Sequence, residues 1–418
     1  MRVVHLSTFD RIGGACIAAY RQHEALCRAQ VDSTMYVGTR VTNDPAVVAF
    51  GPSNDTASRI SRFARRRKIN KAQRQSAVSG EFFDFRSEFG ANVVQSLPRA
   101  DIYNIQFAHG FLDQVSFWKQ LDPSTPVVVT LHEMSPFTGG CSYSGSCERF
   151  KGNCGNCPQV ARPSANDYSR ANWSLREQAY STRPSEKLHF VADSNWIAEQ
   201  ARQSGLLKDH EITVIHYGLD TEVFTPCHKE IARKLLGIPE GRPVIGFAAA
   251  SIEDPRKGIR QLREALTQTV SDPLVVCWGK GFPYSLGDKV DRYLGGIADE
   301  HLLAAAYNAI DIFVMPSIEE AFGQTALEAV ACGTPVVAFA AGGITDTVKD
   351  QETGLLVETG DSAGLATAID QLTHDPSLRL ALGRCGRERA EACFSYRANA
   401  NKYIELYRSL LNADGSNG

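Results

Sequence analysis

Two carboxylates, a pair of cations and a helix start are the residues of this chain whose types and spacing could do chemistry together. Glu320 and Glu328 bracket Ala-Phe-Gly-Gln-Thr-Ala-Leu, so one can sit on a loop and the other in the first turn of a helix. Phe322, Gly323, Gln324 and Thr325 fall between them, and amides at a helix start are a natural seat for phosphate oxygens. Carboxylates beside such a seat would repel a phosphate unless they face hydroxyls instead. The combination suits a ligand with a diphosphate between two hydroxyl-rich rings, as in a nucleotide sugar. The plainer alternative is that Glu328 only caps its own helix and Glu320 is solvated. Arg256 and Lys257 precede Gly258 and a helical run. Adjacent cations there can neutralise a diphosphate leaving group without a metal ion; the alternative is two solvated surface charges.

These residues need strands and helices to hold them. Residues 312–315 are a short apolar run ending at Pro316, the pattern of a strand buried on both faces. A helix is expected from near Thr325, where Thr325-Ala326-Leu327-Glu328 has capping-box spacing, to Gly333-Thr334-Pro335. Residues 336–339 form the next strand, and Gly342-Gly343 turns the chain. Further strands are expected at 244–249 and 274–278, with helices over 259–266 and 300–308. Both loops would then lie at carboxyl ends of strands, where open α/β sheets bind ligands.

The first half repeats the theme. Residues 3–6 read as a strand, Gly13-Gly14 as a turn and 17–26 as a helix, a geometry that brings backbone close to an anion; a simple tight turn fits equally. Strands follow at 35–37, 101–107, 126–131, 190–194 and 213–215. His132 ends the most apolar of them and is expected to face a cleft rather than the core, with His109 as second candidate.

Net charge is −3 over 418 residues, which offers no global basic field for nucleic acid. No apolar run reaches membrane-spanning length, and the first residues are too short and interrupted for a secretory signal. Eleven cysteines, an odd number over a long chain, argue against a disulfide framework and for a cytoplasmic setting. Cys154 and Cys157 are spaced as a zinc half-site, and Cys141 and Cys147 lie just upstream at wider spacing. Together they predict a structural zinc ion, with reduced or packed thiols as the alternative. Residues 58–75 carry Arg59, Arg62, Arg65, Arg66, Arg67, Lys68, Lys71 and Arg74, with no acidic residue and only Ile60, Phe63 and Ile69 as large apolar members. They predict a basic amphipathic helix on an anionic membrane surface, or a solvated face.

The segment from Glu320 to Leu356, with its paired glutamates, Cys332-Gly333-Thr334-Pro335, Gly342-Gly343 and Thr353-Gly354-Leu355-Leu356, resembles the GT4 family of retaining glycosyltransferases. That family has the GT-B fold: two doubly wound Rossmann-like α/β domains facing across a cleft, the C-terminal helix crossing back to the first. The family's usual Pro-Glu is Thr345-Asp346 here. The resemblance implies domains at 1–217 and 218–395, with 396–418 as crossover helix and tail. It also implies a donor-sugar role for His132, base contacts at Gly296 and Ile297, and phosphate contacts at Gly13 and Gly14. Lys257 matches the family's Lys-Gly motif; the family's upstream arginine is missing, and Arg256 is its expected substitute. Glu328 would meet ribose and Glu320 the donor sugar. Similar cysteine-rich insertions occur in a subset of bacterial GT4 enzymes of polysaccharide synthesis. The expected activity is hexose transfer from a nucleoside-diphosphate sugar to a lipid-linked or saccharide acceptor. A nucleotide-sugar epimerase or phosphorylase, or a weakly catalytic binding subunit, is the rival.

Overall fold

The computed structural model describes residues 1–76 and 81–412, with side chains of 72–76 excepted; the side chain of Arg74 and the polar tail past Asn412 therefore lie outside what is described. Two compact units result. The first is Met1–His216 with the chain from Asn399 onward, and the second is Tyr217–Ala398.

Seven strands build the first unit: β1 (Arg2–Phe9), β2 (Asp32–Thr39), β3 (Val47–Ala49), β4 (Ile102–Ile105), β5 (Val127–Leu131), β6 (Leu188–Ala192) and β7 (Ile212–Val214). They pair in the order β3-β2-β1-β4-β5-β6-β7, all parallel. Strand β5 is buried along its whole length, as its unbroken apolar run requires when helices cover both faces. The order reverses between β1 and β4, so the loops after those strands open the crevice where such sheets take ligands.

The second unit repeats the plan with β8 (Val244–Ser251), β9 (Leu274–Lys280), β10 (Arg292–Tyr293), β11 (Ile312–Met315), β12 (Val336–Phe339) and β13 (Gly354–Val357). Their order is β10-β9-β8-β11-β12-β13, again all parallel. The reversal falls between β8 and β11, and one apolar core runs under the sheet. Each unit is thus a Rossmann-like doubly wound sheet.

The helix Tyr396–Asn412 begins in the second unit, where the Tyr396 amide donates to the Leu219 carbonyl at 3.1 Å. It finishes in the first: Asn104 Nδ2 and Gln22 Nε2 donate to the Tyr407 hydroxyl at 2.8 and 3.2 Å. The basic segment is a helix, Thr56–Ser76. Ile60 and Phe63 on it are 64% and 66% exposed, while Ile69 is half-buried.

Candidate functional site

At the carboxyl edge of the second sheet three loops are knitted together. The loop after β8 turns through Pro255–Lys257 and leaves by Gly258, whose φ is +72°. A Cβ on Gly258 would stand 1.7 Å from the Pro316 carbonyl oxygen, so only glycine lets this loop touch the one after β11. Ile318 then donates its amide to the Arg256 carbonyl at 2.8 Å, and Gly343, after β12, donates to the Glu320 carbonyl at 2.9 Å. These ties bring the side chains into register. Lys257 Nζ donates to Glu320 Oε2 at 2.6 Å, with the two side chains 20% and 12% exposed. Arg256 is paired with Asp254, 2.7 Å away, so its charge is shared locally before any ligand arrives.

The helix Gln324–Ala331 follows Gly323, which adopts φ +92° and caps it without a side-chain hydrogen bond. The expected capping box is absent. Thr325 lies inside the helix with its hydroxyl on the Met315 sulfur at 3.7 Å, because the left-handed Gly323 takes the cap position two residues earlier. A helix's first amides lie outside its own ladder, so this turn can present backbone donors to an anion. Glu328 is almost buried and accepts from the Tyr307 hydroxyl at 2.8 Å, a partner that spacing in the sequence does not reveal. Phe322 is a second correction to the expected contacts. Its ring packs between Tyr217 and Phe394 in the core, which leaves only backbone to offer a ligand. Gly296 and Ile297 lie just after β10 on the same sheet edge; Gly296 is exposed and Ile297 packs partly on the core.

In the first unit Gly13 and Gly14 are exposed at the end of β1, with Gly13 at φ +84° where it opens the helix Gly14–Arg28. His132 differs from expectation. It is only 7% exposed, its Nε2 lies 2.7 Å from Gln106 Oε1, and burial pulls its pKa down to about 4. It is a neutral histidine held internally by Gln106, which follows β4. His109 is the histidine that reaches a cavity. Its Nε2 sits 3.1 Å from Glu133 Oε1 and 3.0 Å from Ser135 Oγ, and its ring stacks on Phe83 at 4.1 Å. That cavity, about 360 Å³, lies between the ends of β1 and β4, the Phe82–Glu88 segment and Arg66, Ile69 and Asn70 of the basic helix.

The four cysteines of the insertion come together around a small void of about 20 Å³. All are free thiols. Among the described residues, no group of three or more His, Cys, Asp or Glu side chains is arranged to hold a metal ion as it stands.

The fold of two Rossmann-like units is that of the GT-B glycosyltransferases. A sucrose-phosphate synthase from Thermosynechococcus elongatus superposes with a TM-score of 0.68 at 23% identity, covering 99% of this chain and 100% of that one. The Anabaena protein Alr3699/HepE in complex with UDP-glucose gives 0.69 at 17% identity, covering 98% and 100%. Residues 242–375, within the second unit, match the family model described as glycosyl transferases group 1. Among curated proteins, the D-inositol 3-phosphate glycosyltransferase of Stackebrandtia nassauensis is 36% identical over 223 residues, 48% of this chain and 49% of that protein. The corresponding protein of Salinispora arenicola is 31% identical over 274 residues, 56% and 60% respectively. The chain spans about half the length of the curated relatives it matches.

Proposed function

We propose that this chain is a retaining glycosyltransferase that moves a hexose from a nucleoside-diphosphate sugar to a hydroxyl acceptor. The observation that carries the reading is the Lys257–Glu320 pair, held at 2.6 Å on the edge where the strand order of the second sheet reverses. It puts a phosphate-binding cation and a hydroxyl-binding carboxylate side by side, as a sugar diphosphate requires. Lys257 and Arg256 take the diphosphate, and the Gly323 turn adds backbone donors. Glu320 accepts from donor-sugar hydroxyls, and Glu328, steadied by Tyr307, meets the ribose.

In the reaction the bond from the anomeric carbon to the β-phosphate oxygen breaks and the acceptor oxygen bonds to that carbon on the same face. The acceptor proton leaves with the departing phosphate. The charge that develops on the diphosphate is what Lys257 stabilises, and two cations suffice for this without a bound metal. The group 1 match over 242–375 and the UDP-glucose complex of the Anabaena neighbour support a nucleotide-sugar donor. For the acceptor we favour a lipid-linked or saccharide intermediate of surface polysaccharide synthesis. Support comes from the basic helix, whose exposed Ile60 and Phe63 sit among arginines and lysines, fitting an anionic membrane face. The curated relatives' names favour a second reading, a phosphorylated cyclitol acceptor.

Thermal-shift titration with UDP-, GDP- and ADP-sugars, followed by radiolabel transfer to candidate acceptors, tests the proposal. One donor should raise the melting temperature, and Glu320→Ala should abolish that rise in an intact fold. A product with inverted anomeric configuration would refute the mechanism.

A further inference from the structure

Residues 139–157 form a loop that the transferase reading does not use, yet its construction is unusually determined. Cys154, Gly155 and Asn156 all have positive φ, at 54°, 95° and 48°. Left-handed backbone costs a non-glycine residue about 1–2 kcal/mol, and the neighbouring chain holds it in place. Asn156 donates its amide to the Ser164 carbonyl at 2.7 Å, and Cys157 donates its amide to Asp167 at 2.8 Å. A Cβ on Gly155 would meet the Ala165 carbonyl at 2.6 Å. This knuckle turns the Cys154 and Cys157 sulfurs toward Cys141 and Cys147, so that all four line the same void.

Beside the cysteines stands Arg176, 1% exposed and the largest fully buried side chain. Its guanidinium donates to the Asn172 and Phe83 carbonyls, its Nε has no partner, and among the described residues no carboxylate is ion-paired to it. Cys154 and Cys141, with Tyr180 and Asp84, are close enough to act on its charge. A buried cation without a paired anion is costly, and four thiolates around a divalent ion would supply a net double negative charge beside it.

We propose that Cys141, Cys147, Cys154 and Cys157 bind one zinc ion as a closed tetrathiolate site. The void has the volume of about one water-sized sphere, and zinc–sulfur bonds of about 2.3 Å fill it once the side chains rotate inward. The metal does no chemistry. It clamps the loop whose strand-like bridge at Cys141 pairs with Phe82, and whose Gly140 carbonyl accepts the Phe83 amide at 2.7 Å. Phe82 and Phe83 are walls of the cavity that His109 lines, so the ion would stiffen that cavity.

The test is elemental analysis of the full chain, purified without metal-affinity resin from zinc-supplemented culture. About one zinc per chain is expected, released when a mercurial reagent blocks the thiols and absent from Cys154→Ser/Cys157→Ser. Should that variant fail to fold, hydrogen exchange on the wild-type chain after chelation answers the same question. Faster exchange at residues 81–85 with the second unit unchanged supports the site. Wild-type protein without zinc, or residues 141–157 recovered as disulfides under anaerobic handling, overturns it. None of these outcomes depends on transferase activity.

Discussion

Replacing Lys257 by alanine separates two roles that one ion pair could play. In the ligand-free protein Lys257 and Glu320 are mostly buried and 2.6 Å apart, so truncation strands a carboxylate in a site it shares with little water. A hydrogen bond to a charged group is worth about 1.5–3 kcal/mol, which for a unit of this size lowers the melting temperature by about 3–12 °C. If Lys257 also carries the departing diphosphate, kcat falls by about 10²–10³-fold, the loss typical of one preorganised electrostatic donor. The double variant Lys257→Ala/Glu320→Gln distinguishes the two. Neutralising the stranded carboxylate should restore most of the thermal stability and none of the turnover. The assay pairs calorimetric melting with initial rates of radiolabelled sugar transfer at saturating donor. A Lys257→Ala enzyme that melts early yet keeps within about threefold of wild-type kcat would refute the reasoning, since a purely structural pair behaves that way.

Three other perturbations probe the same molecule. Gly258→Ala forces a methyl against the Pro316 carbonyl at positive φ, so the second unit should melt far earlier and lose donor binding, whereas Gly241→Ala, at φ 90° with nothing near its Cβ, should cost only about 1–2 kcal/mol by urea titration. His132 has a folded pKa of about 4 against an ordinary value near 6.5, burial being the cause. The unfolded chain therefore binds the extra proton first, and the His132 contribution, about 3 kcal/mol, is present above pH 6.5 and lost as pH falls toward 4. His5 and His23 are lowered in the same direction by burial, so denaturation midpoints should drop steeply over that window and His132→Gln should flatten part of the slope. For the basic helix, Arg67→Ala/Lys68→Ala/Lys71→Ala should weaken flotation with anionic vesicles about 100-fold, at roughly 1 kcal/mol per cation near the surface; binding indifferent to lipid charge would count against a membrane role.

Much of this fold was legible in the residues because its central strands are buried on both faces. Runs such as Val127–Leu131, Ile312–Met315 and Val336–Phe339 have no polar face to confuse their reading, and glycine or proline punctuates their ends. The edge strands Val47–Ala49 and Arg292–Tyr293 escaped notice, since so few residues become strands only through a neighbour's hydrogen bonds. The site divides in the same manner. The glutamate spacing and the Arg256-Lys257-Gly258 turn announced themselves by type and order, whereas Tyr307 behind Glu328 and the Glu133–His109–Ser135 cluster are assembled from elements far apart in the chain.

The chain's own pattern of apolar runs, glycines and charges determined two parallel α/β units, the loops that carry polar chemistry and a basic helix. Tertiary structure alone decided which side chains within those loops are available. It sank Phe322 into the core, enclosed His132 as a neutral histidine and brought His109 to the cavity. The reason is physical: secondary structure follows from local periodicity, but burial and pairing depend on what distant segments place against each residue.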